Sequence, residues 1–217
     1  MPPKLSPESV LVAFPLPAGL LGASMRRTLG DLNQSYLELC TAVDAAGDPR
    51  FSLREEVLAK LVAAEPDTLR RLVQCPFALF ELQADPAPRF EPAHRISDVA
   101  TRSANETLDE QGRRFTQAAF VVASRMTERS PLATRIAFGL PPSVDSMVQE
   151  LSPVALLQAA ARKATLRPRW RNHPSFWPLL LEAAQLKGGL QLQRVHSLGV
   201  RLLAAQLAAA PRVPARR

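Results

Sequence analysis

Twenty prolines in a chain of 217 residues rich in alanine and leucine set the first limit on what it can fold into. Alanine and leucine are strong helix formers. Proline lacks a backbone donor and clashes with the preceding turn, so a helix accepts it at its start but not in its interior. Most of these prolines stand where an apolar pattern of helical period begins or ends. The sequence therefore predicts an all-α fold, a multi-helix bundle whose helices are cut to length by proline and glycine.

The periodicity gives the helices one by one. In "LGDLNQSYLELCTAVDAAG", Leu29, Leu32, Tyr36, Leu39, Cys40 and Val43 recur on one face, and Gly47 and Asp48 are expected to end it. "FSLREEVLAKLVAA" opens with Ser52 and Glu55 in capping-box spacing and continues an apolar face through Leu58, Leu61 and Val62. "EPDTLRRLVQC" puts Pro66 in a first turn, with Leu69, Leu72 and Val73 facing inward. "PFALFELQ" is apolar but too short to separate helix from strand, and "ADPAPRFEPAH" reads as a loop. The polar "RISDVATRSANETLDEQGRR" is either a linker or the exposed opening of a long helix that turns apolar at "FTQAAFVVASRM". "SPLATRIAFGL" carries a cap, a first-turn proline and a terminating Gly139. "PPSVDSMVQEL" and "SPVALLQAAARKA" repeat that design, the second with Ser152 and Pro153. "PSFWPLLLEAAQLKGG" is a helix stopped by Gly188 and Gly189, and "LQLQRVHSLGVRLLAAQLAAA" is a long amphipathic helix.

The two halves share a rhythm. Each has a helix bearing an aromatic residue (Tyr36; Phe115), a break, a short helix, a second break with proline, and a short aromatic or basic segment ("PFALFEL"; "RPRWRNHPSFW"). That is the signature of a duplicated helical unit, or of a rhythm that helical proteins imitate. The expected organisation is an arm at 1–23, a helical unit at 24–92, a connecting segment at 93–112, a second unit at 113–210 and a frayed tail at 211–217. The arm is read as loosely structured rather than as a signal peptide, because prolines interrupt its apolar part. No apolar run reaches the roughly 20 residues of a membrane span.

Charge divides the chain in the same place. Residues 1–108 carry 11 Lys and Arg against 14 Asp and Glu, a net of −3, while residues 109–217 carry 16 against 6, a net of +10. From Arg162 onward 11 basic residues stand against one acid, Glu182. Such asymmetry points to a polyanionic or acidic partner for the C-terminal half, or to arginines that are merely solvated. The two cysteines, Cys40 and Cys75, have apolar neighbours and no metal-binding spacing, which predicts buried free thiols in a reducing cytoplasm.

Motifs for catalysis are missing: no Gly-rich phosphate loop, no GxSxG, no HExxH and no paired-carboxylate signature. His94, His173 and His196 lack acidic company for a metal, and a Cys–His nucleophilic pair has no local hint. The expectation is a non-enzymatic protein with no cofactor and no metal. "LATRIAFGLPPSVDSMVQEL" has helix–turn–helix form, but its second helix offers Asp145 and Glu150 and no basic residue, which suits packing better than DNA reading. The basic strip is better suited to phosphate. Arg162, Lys163, Arg167, Arg169 and Arg171 alternate with apolar groups, and an extended "RPRWR" would put the arginines on one side and Pro168 and Trp170 on the other. Trp170 and Trp177 are expected to bury against helices rather than stack on bases.

From Phe115 to about Leu207 the order of features resembles the FlhD family: "FTQAAFVVASRM", "SPLATRIAFGL", "PPSVDSMVQELSPVALLQAA", "RPRWRNHPSF" and "LQLQRVHSLGVRLLAAQ". These are all-helical bacterial proteins that form, with a second regulatory subunit, the master activator complex of flagellar transcription. The family's last helix also has a histidine followed by a small hydroxylic residue, here His196 and Ser197. The resemblance implies a cytoplasmic transcription regulator subunit assisting a DNA-binding complex. It implies a partner interface at His196 and Ser197, and homo-oligomers or, for a tandem, an internal pseudo-dimer. Arg194 and Arg201 would join the strip on a face toward DNA phosphates or an acidic partner. A helical protein–protein adaptor with no nucleic-acid role is the alternative.

Overall fold

The computed structural model describes residues 21–42, 51–83, 108–140, 148, 155, 165–186 and 189–209. The fold is all-α apart from one small sheet. In chain order the elements are α1 (Ala23–Thr41), α2 (Glu55–Val62), α3 (Pro66–Val73), β1 (Phe80–Gln83), α4 (Leu108–Arg129), α5 (Pro131–Phe138), β2 (Thr165–Pro168), α6 (Phe176–Gln185) and α7 (Gly189–Ala209). The arm up to residue 20, the tail, Gly47 with Asp48, and the helices expected at "PPSVDSMVQEL" and "SPVALLQAAARKA" lie outside the described residues, save Val148 and Ala155, while the arm's last residue, Ala23, already opens α1.

Helix starts follow the chemistry of their first turns. Pro66 and Pro131 occupy the opening positions of α3 and α5, where a missing N–H costs nothing. Ser130 caps α5, its hydroxyl accepting from the Ala133 N–H at 3.3 Å. The capping box at Ser52 does not form. Arg54 is the N-cap residue of α2 and Glu55 is already helical, so Glu55 and Glu56 instead face the positive end of the helix dipole. Of the polar stretch before Phe115, the part from Leu108 opens the long helix α4, and the residues before it lie outside the described ones. Gly189 opens α7 rather than closing α6, which ends when Leu186 turns extended at ψ 128°.

"PFALFELQ" becomes strand because its partner comes from far along the chain. β1 pairs antiparallel with β2, with Phe80 opposite Pro168, Glu81 opposite Arg167 and Leu82 opposite Leu166. Alternation places Phe80, Leu82, Leu166 and Pro168 inward. Glu81 and Arg167 point outward, joined by an ion pair at 2.7 Å.

Both halves feed one core. Tyr36 on α1, Phe80 on β1 and Phe115 on α4 form a triangle of rings with centroids 4.9–5.7 Å apart. A second cluster joins Phe77, Trp170 and Phe176, with Trp170 and Phe176 centroids 4.2 Å apart. α7 crosses this cluster at Gly199, where an added Cβ would come 2.5 Å from the Phe77 ring. Cys40 and Cys75 are both buried free thiols.

One polar side chain pins the segment leading to β1. Asn33 is fully buried on α1; its amide donates to the carbonyls of Val73 (3.2 Å) and Phe77 (3.0 Å), and its oxygen accepts from the Leu79 N–H (2.9 Å). A buried turn has backbone groups that need partners, and Asn33 supplies three.

Candidate interaction surface at the Arg167–Trp177 connector

The connector after β2 does not stay extended. Arg169 to Asn172 form turns, and Trp170 takes a left-handed conformation at φ 51° that is rare for a bulky residue. The expected alternation therefore fails. Pro168, Arg169 and Trp170 are all buried, and only Arg167 and Arg171 remain exposed.

Arg169 is the main correction to the basic strip. Only 2% of it is accessible. Its guanidinium donates through Nε and Nη2 to the Phe80 carbonyl (3.2 and 2.8 Å) and through Nη2 to the Phe138 carbonyl (2.5 Å). Phe138 is the last residue of α5, so the cation sits on the negative end of that helix. Its backbone N–H donates to Leu79 (2.9 Å), and its carbonyl accepts from the Trp177 indole (2.8 Å). One residue thus ties β1, α5 and α6 together. Burial lowers its pKa to about 10, against the opposing pull of Glu81, and leaves it cationic at neutral pH. Gly139 makes room: it has φ 59°, and a Cβ there would run into the Arg169 guanidinium and Leu203.

The rest of the connector is also built into the fold. Trp170 and Trp177 are 7% and 2% exposed, so neither offers a face to a base. His173 Nδ1 accepts from the backbone N–H groups of Ser175 (3.3 Å) and Phe176 (3.1 Å), capping α6 in place of a hydroxyl.

His196 and Ser197 on α7 both have partners within the chain. Ser197 Oγ donates back to the Gln193 carbonyl at 2.9 Å. The half-buried His196 ring stands edge-on to Phe77, with Nε2 3.5 Å from Cys75 Sγ. A cysteine and a histidine separated by 121 residues thus meet, which no local pattern could signal. They do not form a thiolate–imidazolium couple. Burial pushes the Cys75 thiol far above its ordinary range and the imidazole down to about 4, so both are neutral at neutral pH. Cys75 Sγ also donates to the Leu72 carbonyl at 3.1 Å.

What remains outward is cationic. Arg194 and Arg201 are exposed on α7 and stand seven residues apart, two turns along one side. Leu190, 72% exposed, and Ser197 continue that stripe, and α7 contains no acidic residue. Arg171 is exposed on the connector, and Arg167 is half exposed in its pair with Glu81. Arg162 and Lys163 lie outside the described residues.

Among the described residues no group of three or more His, Cys, Asp or Glu converges to hold a metal ion, and no helix is long and apolar enough to cross a membrane. Fold and surface together define an all-α protein closed by a two-stranded clasp, with a cationic last helix. Comparison with protein-family models, curated proteins and solved structures finds no match for this chain.

Proposed function

We propose that this chain is a non-enzymatic helical adaptor, a regulatory subunit that docks an acidic protein partner through the outward face of α7. The observation that carries this reading is the fate of the arginine–tryptophan strip. Its aromatic rings and Arg169 are buried, and Arg167 is neutralised by Glu81. Of the candidate cations, Arg171 stays exposed on the connector, and Arg194 and Arg201 are exposed on α7, where they share a face with Leu190, a mixed apolar and cationic stripe of the kind that protein interfaces use.

A second reading, an FlhD-like subunit of a DNA-binding complex, is favoured by the net charge of +10 over residues 109–217. The internal pseudo-dimer that such a tandem would form has its own support. The two segments matched between the halves meet where the end of one, Phe80 and Glu81, pairs with the start of the other, Pro168 and Arg167, and the rings of the matched residues Tyr36 and Phe115 have centroids 5.7 Å apart. A two-fold relation brings equivalent pieces into contact where they lie on its axis.

Salt separates the readings. A phosphate contact makes log affinity for a duplex of about 20 base pairs fall with log salt by about 0.9 per neutralised phosphate. The adaptor reading expects a flat titration even at about 50 mM salt. A steep slope that Arg194→Glu with Arg201→Glu flattens would replace it with the DNA reading.

A further inference from the structure

A groove on the opposite half of the chain is independent of the α7 face. It begins as a cavity of about 740 Å³ between α1 and α3, lined by Arg26, Arg27, Gly30, Leu69, Arg70 and Val73 among others. A second cavity of about 300 Å³ shares Gln34 and Leu69 with the first and continues between α1 and α2 over Leu37, Leu61 and Val62. Along α1 the lining positions run from Arg26 to Thr41 on one side of the helix, about 22 Å at 1.5 Å per residue. The groove is therefore about four helical turns long. Val62, at its far end, is 67% exposed.

Its charge is polarised. At the end nearest the start of α1 stand Arg26, Arg27 and Arg70, against one lining carboxylate, Asp31. Arg70 holds Asp67 at 2.7 Å, a pair exposed on both sides and weak for that reason. Arg26 and Arg27 are exposed and have no ion-pair partner among the described residues. At the other end the single ionisable lining residue is Glu38, which accepts from the Gln34 amide at 2.8 Å. Gly30 gives the floor its depth. A Cβ there would meet only the Val73 carbonyl, at 3.6 Å, so the space above it is open.

We infer that this groove is a docking site for an amphipathic helix of a partner protein. That helix carries an apolar stripe of about four turns and a cluster of Asp or Glu at one end. The apolar floor takes the stripe, as in other helix-in-groove complexes, and the arginine end takes the acidic cluster. Natural helices favour acids in their first turn, so such a pattern is common among partner helices. A nucleic acid fits less well, because its phosphates would run along the groove onto Glu38 and leave the apolar floor uncovered.

The test is a display selection of random 16-residue peptides against the full-length chain, followed by fluorescence anisotropy of the winners. The expected winners share leucine-type residues at helical spacing and an acidic cluster at one end. They bind about ten-fold more weakly to Arg26→Glu with Arg27→Glu, two surface changes that leave the fold intact by circular dichroism. Gly30→Leu, which fills the floor, weakens them as well and keeps the charges. Winners without the acidic cluster, or with equal affinity for both variants, would overturn the inference. So would a short DNA duplex whose binding is abolished by the Arg26→Glu, Arg27→Glu change. Concentration-dependent dimers that Gly30→Leu dissolves would overturn it too, since the occupant would then be a second copy of this chain.

Discussion

At the scale of the residue, the same side-chain chemistry takes opposite roles within three positions. Arg169 and Arg171 are indistinguishable by type, yet one is a buried strut and the other faces water. Lysine cannot fork between the Phe80 and Phe138 carbonyls as a guanidinium does. Arg169→Lys is expected to cost about 2 kcal/mol in urea unfolding, while Arg171→Ala stays within about 0.5 kcal/mol. His196 gives a pH signature. In the folded chain it titrates near 4, whereas an unfolded histidine titrates near 6.5. Between those values the unfolded state binds a proton that the native state refuses, so stability is complete above about pH 6.5 and is lost progressively down to about pH 4. The loss should reach about 3 kcal/mol and be missing from a His196→Gln variant measured over the same range. Asn33 was legible in part. It falls on the inward stripe with Leu29, Leu32 and Tyr36, and a polar residue there signals a buried bond. Which backbone it would hold was not legible, because Val73 to Leu79 lie 40 to 46 residues away.

At the scale of the element, legibility followed locality. The starts of α3 and α5 and the glycine end of α5 are set by residues within one turn, and the sequence announced them. Ser130→Ala should therefore cost about 1 kcal/mol, read as a lower thermal midpoint with unchanged helix content. The strands were not legible, since four residues gain strand geometry only from a partner 86 positions away, as Glu81 does from Arg167. The alternation expected of "RPRWR" held only as far as that pairing does. Once the ladder ends at Pro168, the demand of the aromatic cluster for Trp170 outweighs the regular period.

At the scale of the whole molecule, the two halves pack on each other as extensively as on themselves: α1 meets α4, α3 and α2 meet α6, and β1 meets β2, beside the pairings of α4 with α5, α6 with α7 and α1 with α3 inside each half. Arg71 repeats this at one bond, donating from α3 to the Ala184 carbonyl near the end of α6 at 2.7 Å. Long closures of this kind form late and cooperatively. They also mean that the two halves share one core, to which each contributes residues that the other covers. Fragments 1–92 and 93–217 produced as separate polypeptides should each lack a cooperative melt. Mixed together, they should regain one whose midpoint rises with concentration, as mass action requires of a two-component fold. The clasp of β1 and β2 would then act as a recognition code between two molecules: a few paired residues deciding which fragment finds which, in a chain that ordinarily never has to search because its partner is already attached.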